Sequence, residues 1–263
     1  MKSKKYIISG LKILAAIVFW IVIWALVSYR IDIEFLFPSP IAVFKALITL
    51  LQSEQFWIIT TASLLRVMIG VFASLIIGTI LAYITNLSTV IHTLLTPLLS
   101  AVKSTPIASF IILALLWIDS GILPAFITAL IVIPIVWANV LEGIRSVDRD
   151  LVELASLYKF SIGKKLFRLY IPTVAPYFMA ACKSALGMAW KAGIAAEVIA
   201  VPESSIGKEL YFSKTYMETS TLFAWTLVVI LVSFIIENLF MWLLKHLGYK
   251  LRFLQKGERN AED

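Results

Sequence analysis

Apolar residues run along the chain in long blocks, each closed by charge, proline or glycine, and six of these approach the length of a bilayer crossing. They cover roughly residues 7–27, 58–83, 94–117, 122–141, 174–199 and 222–244, where about 20 apolar residues suffice for one span. The pattern therefore predicts an all-α, polytopic membrane protein with six transmembrane helices. The first block follows Lys2, Lys4 and Lys5, as a signal peptide would. It carries Trp20 and Trp24, however, and Tyr29 and Arg30 follow where small cleavage-site residues are needed, so it is expected to stay as an anchor.

Three segments are not simple spans. In Phe37-Pro38-Ser39-Pro40, Ser39 can cap a helix and Pro40 suits its first position, while Ile41, Phe44, Ile48 and Leu51 recur on one face. A short amphipathic helix at the outer membrane surface is predicted. Within the third block, Pro97 and then Lys103-Ser104-Thr105-Pro106 interrupt the apolar run. Such breaks survive only where protein or a water-filled cavity satisfies the freed backbone groups, so this stretch is a candidate pathway wall, with snorkelling of Lys103 to the inner interface as the alternative. The longest polar interruption, 142–172, mixes both signs and is too long for a minimal turn. Leu151, Leu154, Ala155 and Tyr158 share one helical face, and Ser161 can cap a second short helix over 163–170 that ends at Pro172. Two short helices of this kind form either a knob suited to a partner's groove or a plain surface loop.

Composition agrees with the block pattern. The chain is 60% hydrophobic and 15% charged, against about half and a quarter in soluble domains. Its net charge of +7 does not point to nucleic acid, because Lys and Arg sit at the margins of apolar runs rather than on a folded polar face. Counted by loop, they place Lys2, Lys4, Lys5, Lys12, the 145–168 loop and 245–259 on one side, leaving Arg30, Lys45, Lys208 and Lys214 on the other. Both termini are expected in the cytoplasm. The lone Cys182 excludes an intrachain disulfide, and His92 and His246 fall at span ends without metal-ligand spacing. The polar stretch 255–263 is expected to fray.

Charged residues inside the blocks need a partner or water. In the fifth block, Lys191 and Glu197 are six residues apart and, at about 100° per residue, cannot pair around one helix. Either Lys191 faces the path, where it could meet an anion, or it pairs with a carboxylate such as Glu237. Lys183 is expected to snorkel, Arg66 to be structural or interfacial, Glu237 to tether helices and Trp190 to pack.

The chain resembles the permease subunits of binding-protein-dependent ABC importers, in the nitrate, sulfonate, taurine and bicarbonate subfamily. The family's cytoplasmic loop carries Glu-Ala-Ala, three residues, Gly, nine residues and Ile-x-Leu-Pro. Glu153-Leu154-Ala155, Lys159 and Leu169-Tyr170-Ile171-Pro172 fall in that register; Glu153, Ala155 and Pro172 match, whereas Leu154, Lys159, Leu169 and Ile171 depart from it. Phe37-Pro38-Ser39-Pro40 is similar to the subfamily's Leu-Pro-Ser-Pro, Lys103-Ser104-Thr105-Pro106 to an Arg-Pro-Ile-Pro-like stretch, and Ala189-Trp190 with Ala195-Ala196-Glu197 to its fifth span. The resemblance covers the chain from Phe37 onward.

It implies a type I importer (MetI-like) fold: an N-terminal helix with flanks over 1–36, a permease core over 37–246 and a cytoplasmic tail over 247–263. Two permease subunits, a homodimer by default, would enclose a path in the bacterial inner membrane. Two cytoplasmic ATPases would supply work, and an extracytoplasmic binding protein would deliver a small solute. Glu153, Leu154, Ala155, Lys159, Gly163, Leu169, Ile171 and Pro172 would form the ATPase-coupling element. Lys103, Ser104, Thr105, Pro106, Trp190, Lys191 and Glu197 would flank the substrate pathway. The chain has no phosphate-binding loop, since Gly163-Lys164 and Gly207-Lys208 lack the glycine spacing and following hydroxyl, so no cofactor is expected on it, and ATP and Mg belong to the partner ATPase. An ion-coupled secondary transporter or channel using Lys191, Glu197 and Glu237 is the alternative; repeated halves would favour it, and none is seen. A membrane enzyme is the weaker rival, because no catalytic cluster gathers at one membrane face.

Overall fold

The computed structural model describes the backbone of residues 2–259. Met1 and residues 260–263 lie outside the described residues, as do the side chains of 2–11, 13, 245 and 247–259. The basic side chains of Lys2, Lys4 and Lys5 and those of the expected tail fall in that set. Among the described residues the chain is helical and contains no strand. In order come α1 (Lys2–Ile31), α2 (Pro40–Leu51), α3 (Glu54–Leu87), α4 (Thr89–Ser104), α5 (Ile107–Ala114) and α6 (Leu123–Arg145). They are followed by α7 (Arg149–Leu157), α8 (Ile162–Lys165), a π-helical turn (Leu166–Tyr170), α9 (Ile171–Ala200), α10 (Ile206–Thr215) and α11 (Thr219–Arg259). The backbone of α11 thus stays helical through the first part of the stretch expected to fray.

Short polar side chains set where the helices begin. Ser39, Ser53, Ser88, Asp148, Ser161 and Ser205 each accept a backbone amide from the first turn of α2, α3, α4, α7, α8 and α10. These amides have no partner within the helix, so each cap stabilises by about 1 kcal/mol.

The third apolar block is broken where Thr105 and Pro106 occur. Proline disfavours helical backbone in the residue before it, and Thr105 is extended, with φ −79° and ψ 136°. The axes of α4 and α5 meet at a 102° bend. Freed groups are satisfied locally: the Ala101 carbonyl accepts from the Thr105 amide at 3.1 Å, the Thr105 hydroxyl at 2.8 Å and the Ser104 hydroxyl at 3.0 Å.

The core is a layer of three long helices, with α6 packed between α3 and α9. Small residues let the backbones approach. A Cβ at Gly70 would lie 2.5 Å from the Ala125 carbonyl oxygen, and one at Gly78 would lie 2.8 Å from Val136 Cβ. With no hydrophobic drive between helices in lipid, such close van der Waals contact is a main source of association. Around this layer, α3 and α11 turn Ile69, Ile76, Ile80, Ile230 and Phe234 outward, each at least half exposed. A water-facing surface of that kind would aggregate; a lipid-facing one is expected.

Among the described residues, four helices are long and apolar enough to cross a membrane: α1 from Leu14 to Ile31, α3, α6, and α11 from Thr219 to Leu244. Counting the bent α4–α5 pair as one span makes five. The expected six are not reached on length and composition, because α9, at 30 residues, carries Lys183, Lys191 and Glu197. α1 stands away from the core, held at its far end by Trp24 Nε1 donating to the Pro38 carbonyl at 3.0 Å and Ser28 Oγ donating to the Phe37 carbonyl at 3.2 Å. α2 covers α11 with Val43, Leu47 and Leu50 and turns Ile41, Phe44, Ile48 and Leu51 outward, the face read from its period.

Candidate functional site

The polar interruption 142–172 folds into a hairpin projecting from the ends of α6 and α9. Asp148 opens α7 by accepting the Asp150 amide at 2.9 Å. α7 closes with Lys159 in left-handed backbone, φ 53°, while the Phe160 amide reaches the Ala155 carbonyl at 2.9 Å and the Lys159 amide reaches Ser156 at 3.0 Å. That is the bond pattern of a Schellman turn, in which glycine is preferred at the left-handed position. The turn forms although lysine stands where the family pattern has glycine.

The second short helix departs from expectation. Only Ile162–Lys165 is α-helical; Leu166–Tyr170 is a π turn running directly into α9, with no break at Pro172. Proline has no amide to donate and its ring crowds the carbonyl four residues back, and a widened turn before it relieves that conflict. The hairpin therefore joins α9 with no break in the helical backbone.

Its outer surface is apolar. Leu157, Tyr158, Ile162 and Phe167 are 80%, 72%, 87% and 63% exposed, and Leu151 and Leu154 are half exposed. Of the face read from the sequence, only Ala155 is buried. Charges surround these side chains: Glu153, Lys159 and Lys164 are exposed, and Lys165 Nζ donates to Ser156 Oγ at 2.8 Å. Glu153 also lines a cleft with Asn86, Arg145, Arg149 and Tyr170.

The residues expected along a pathway divide into two groups. Lys103, Ser104 and Pro106 are exposed at the bend between α4 and α5, with Thr105 half-buried. On α9, Ala180, Ser184, Met188 and Lys191 form an exposed stripe at helical spacing, with Lys183 beside it. Lys191 does not pair with Glu237. Glu237 instead accepts from Ser233 Oγ at 3.2 Å, and its Oε1 lies 2.7 Å from where a Cβ on Gly187 would be, pressing α11 against α9.

Trp190 and Glu197 lie inside the subunit rather than on that stripe. Trp190 is 1% exposed and donates Nε1 to the Val229 carbonyl at 3.0 Å. Glu197 is fully buried: Oε2 accepts from Ser63 Oγ at 2.8 Å and from the Gly207 amide at 3.2 Å, and Oε1 lies 3.5 Å from Arg66 Nη1. Both face the core because α6, α3 and α11 pack on that side of α9. The sequence pattern does not single out Ser63; the one local signal is its position one turn before Arg66 on a shared helical face. Among the described residues no cluster of three His, Cys, Asp or Glu could hold a metal ion.

The arrangement combines an exposed apolar hairpin, the 30-residue helix α9 continuous with it, and an exposed stripe on that helix that includes Ser184 and Lys191. Comparison with known proteins shows what the chain is similar to. The model of the family described as binding-protein-dependent transport system inner membrane component matches residues 74–252. A probable ABC transporter permease protein of Haemophilus influenzae is 25% identical over 212 residues, covering 80% of this chain and 85% of that protein. The taurine transport system permease protein TauC of Escherichia coli is 23% identical over 220 residues, covering 81% and 80%. The bicarbonate transport system permease protein CmpB of Synechococcus elongatus is 31% identical over 153 residues, covering 57% and 54%. With two-thirds of its length under the family model and multiple membrane-length helices, the chain belongs to the inner membrane components of binding-protein-dependent transport systems.

Proposed function

We propose that this chain, the transmembrane permease subunit of an ATP-driven ABC importer, forms half of a path for a small anionic solute. A second copy supplies the other half, two cytoplasmic ATPases bind and hydrolyse ATP with Mg, and an extracytoplasmic binding protein delivers the solute. The six crossings are α1, α3, the α4–α5 pair, α6, α9 and α11, with both termini cytoplasmic, in keeping with the loop charges. The core over 37–246 does the transporting.

The hairpin carries this reading: large apolar side chains held out on a charged rim match the anatomy of a docking surface, which buries anchors in a partner's groove. Glu153, Leu154, Ala155, Lys159, Gly163, Leu169, Ile171 and Pro172 form that coupling element. Closure of the ATPases displaces the hairpin, and α9, continuous with it, carries the displacement into the membrane. An anionic solute is favoured by Lys191, whose ammonium lies on the exposed stripe with no ion-pair partner among the described residues, and by the names of the relatives above. Lys103, Ser104, Thr105 and Pro106 stand on the path at the bend.

Uptake into vesicles reconstituted with this chain, its ATPase and its binding protein tests the proposal. Accumulation that requires ATP hydrolysis is expected. Flux driven by an ion gradient with no ATP would overturn it in favour of a secondary transporter.

A further inference from the structure

Glu197 sits one turn before the end of α9, where three helices meet. Its carboxylate accepts from Ser63 on α3 and from the Gly207 amide on α10, and Ser63 Oγ in turn accepts the Ile206 amide at 2.9 Å. Arg66, one turn along α3, donates to the Ser204 carbonyl at 3.0 Å and the Glu203 carbonyl at 2.7 Å. Two of these partners are first-turn amides of α10, which that helix cannot satisfy itself. A Cβ on Gly207 would lie 2.3 Å from Glu197 Cβ, so α10 rests directly on the carboxylate's own residue. The connection 201–205 holds Val201 and Ser204 in left-handed backbone, φ 49° and 47°, and Val201 donates its amide to the Glu197 carbonyl at 2.8 Å. A β-branched residue keeps that conformation only where its surroundings over-determine it.

We infer that Glu197 is a positioning residue that clamps α10 to α9 and α3, so that a displacement of the docking hairpin arrives at α10 on the opposite membrane face. Between Ile171 and Glu197 the helix runs about 40 Å at ~1.5 Å per residue. Without the clamp, the connection 201–205 would absorb the motion; with it, α10 is rigidly part of the lever. The inference rests on the docking role proposed above.

The test uses the assembled importer in vesicles. Glu197→Ala is expected to bind the ATPase in the wild-type ratio and to keep its ATP hydrolysis without binding protein. Stimulation of hydrolysis by the binding protein, and solute uptake, should each fall at least about tenfold. Glu197→Gln, whose amide oxygen still accepts from Ser63 and Gly207, should restore both to within about twofold. A residue serving only stability would lower the yield of assembled complex and every activity together. Should Glu197→Ala not assemble, Gly207→Ala leaves the carboxylate in place but forces α10 off it, and must show the same selective loss. Wild-type stimulation and uptake in Glu197→Ala, or in Gly207→Ala where that variant replaces it, overturns the clamp. Failure of the wild-type chain to bind an ATPase would instead sink the docking role.

Discussion

The Phe160 amide bonds the Ala155 carbonyl across a turn whose central residue, Lys159, holds a φ of 53°. Lysine carries a Cβ that opposes this backbone, at a cost of about 1 kcal/mol, and glycine does not. Lys159→Gly is therefore expected to raise the stability of the hairpin by about 1 kcal/mol, and Lys159→Val to lower it by a similar amount. Hydrogen exchange at the Phe160 amide reads the change. Equal protection in all three proteins would show that the turn is not closed this way.

Docking depends on the exposed apolar cluster. Ile162, 87% exposed, contributes nothing to the fold of the isolated chain, so Ile162→Asp should leave expression and melting temperature intact. It should weaken ATPase binding by about 2 kcal/mol, roughly thirtyfold in Kd. Glu153→Lys, or deletion of 163–168, should let hydrolysis proceed while uptake is lost. Wild-type uptake in these variants removes the hairpin from the coupling path.

Helix crossings tolerate little. Gly70→Ala drives a methyl group against the Ala125 carbonyl and the Thr128 side chain, and should destabilise by about 1–3 kcal/mol. Gly163 has open space around it, and Gly163→Ala should be neutral or stabilising by up to about 1 kcal/mol, since alanine favours helix. Thermal unfolding in detergent ranks the two; a Gly70→Ala protein as stable as the wild type would contradict the packing of α3 on α6.

Lys191 tests the nature of the cargo. Lys191→Gln removes the cation without much change of volume and should raise the KM for anion uptake about tenfold, about 1.4 kcal/mol. Lys191→Arg should retain most of the wild-type affinity. An unaltered KM in Lys191→Gln would place the residue off the path, on a lipid-facing or subunit-facing side.

Where sequence and structure agree, the cause is local. Ser39 and Ser161 cap as expected because a cap is a contact between residues three apart. The third block breaks at Thr105 because a proline acts on the residue next to it. The helix expected over 163–170 became a short α-helix and a π turn, since its geometry is set by the following Pro172 and by continuity into α9. Glu197 and Lys191 are alike to a sequence reader, two charges in one apolar block. Their fates differ by which side of α9 the other helices cover.

Hydrophobic blocks, caps and prolines determined by themselves that this chain is a helical membrane protein with a polar hairpin before its fifth block, because each depends on neighbours in the chain or on lipid. Only tertiary packing decided that Glu197 joins Ser63, Arg66 and Gly207 inside the subunit while Lys191 stays outside it. Those partners are 134, 131 and 10 residues away along the chain, and no local rule brings α3, α9 and α10 to one point.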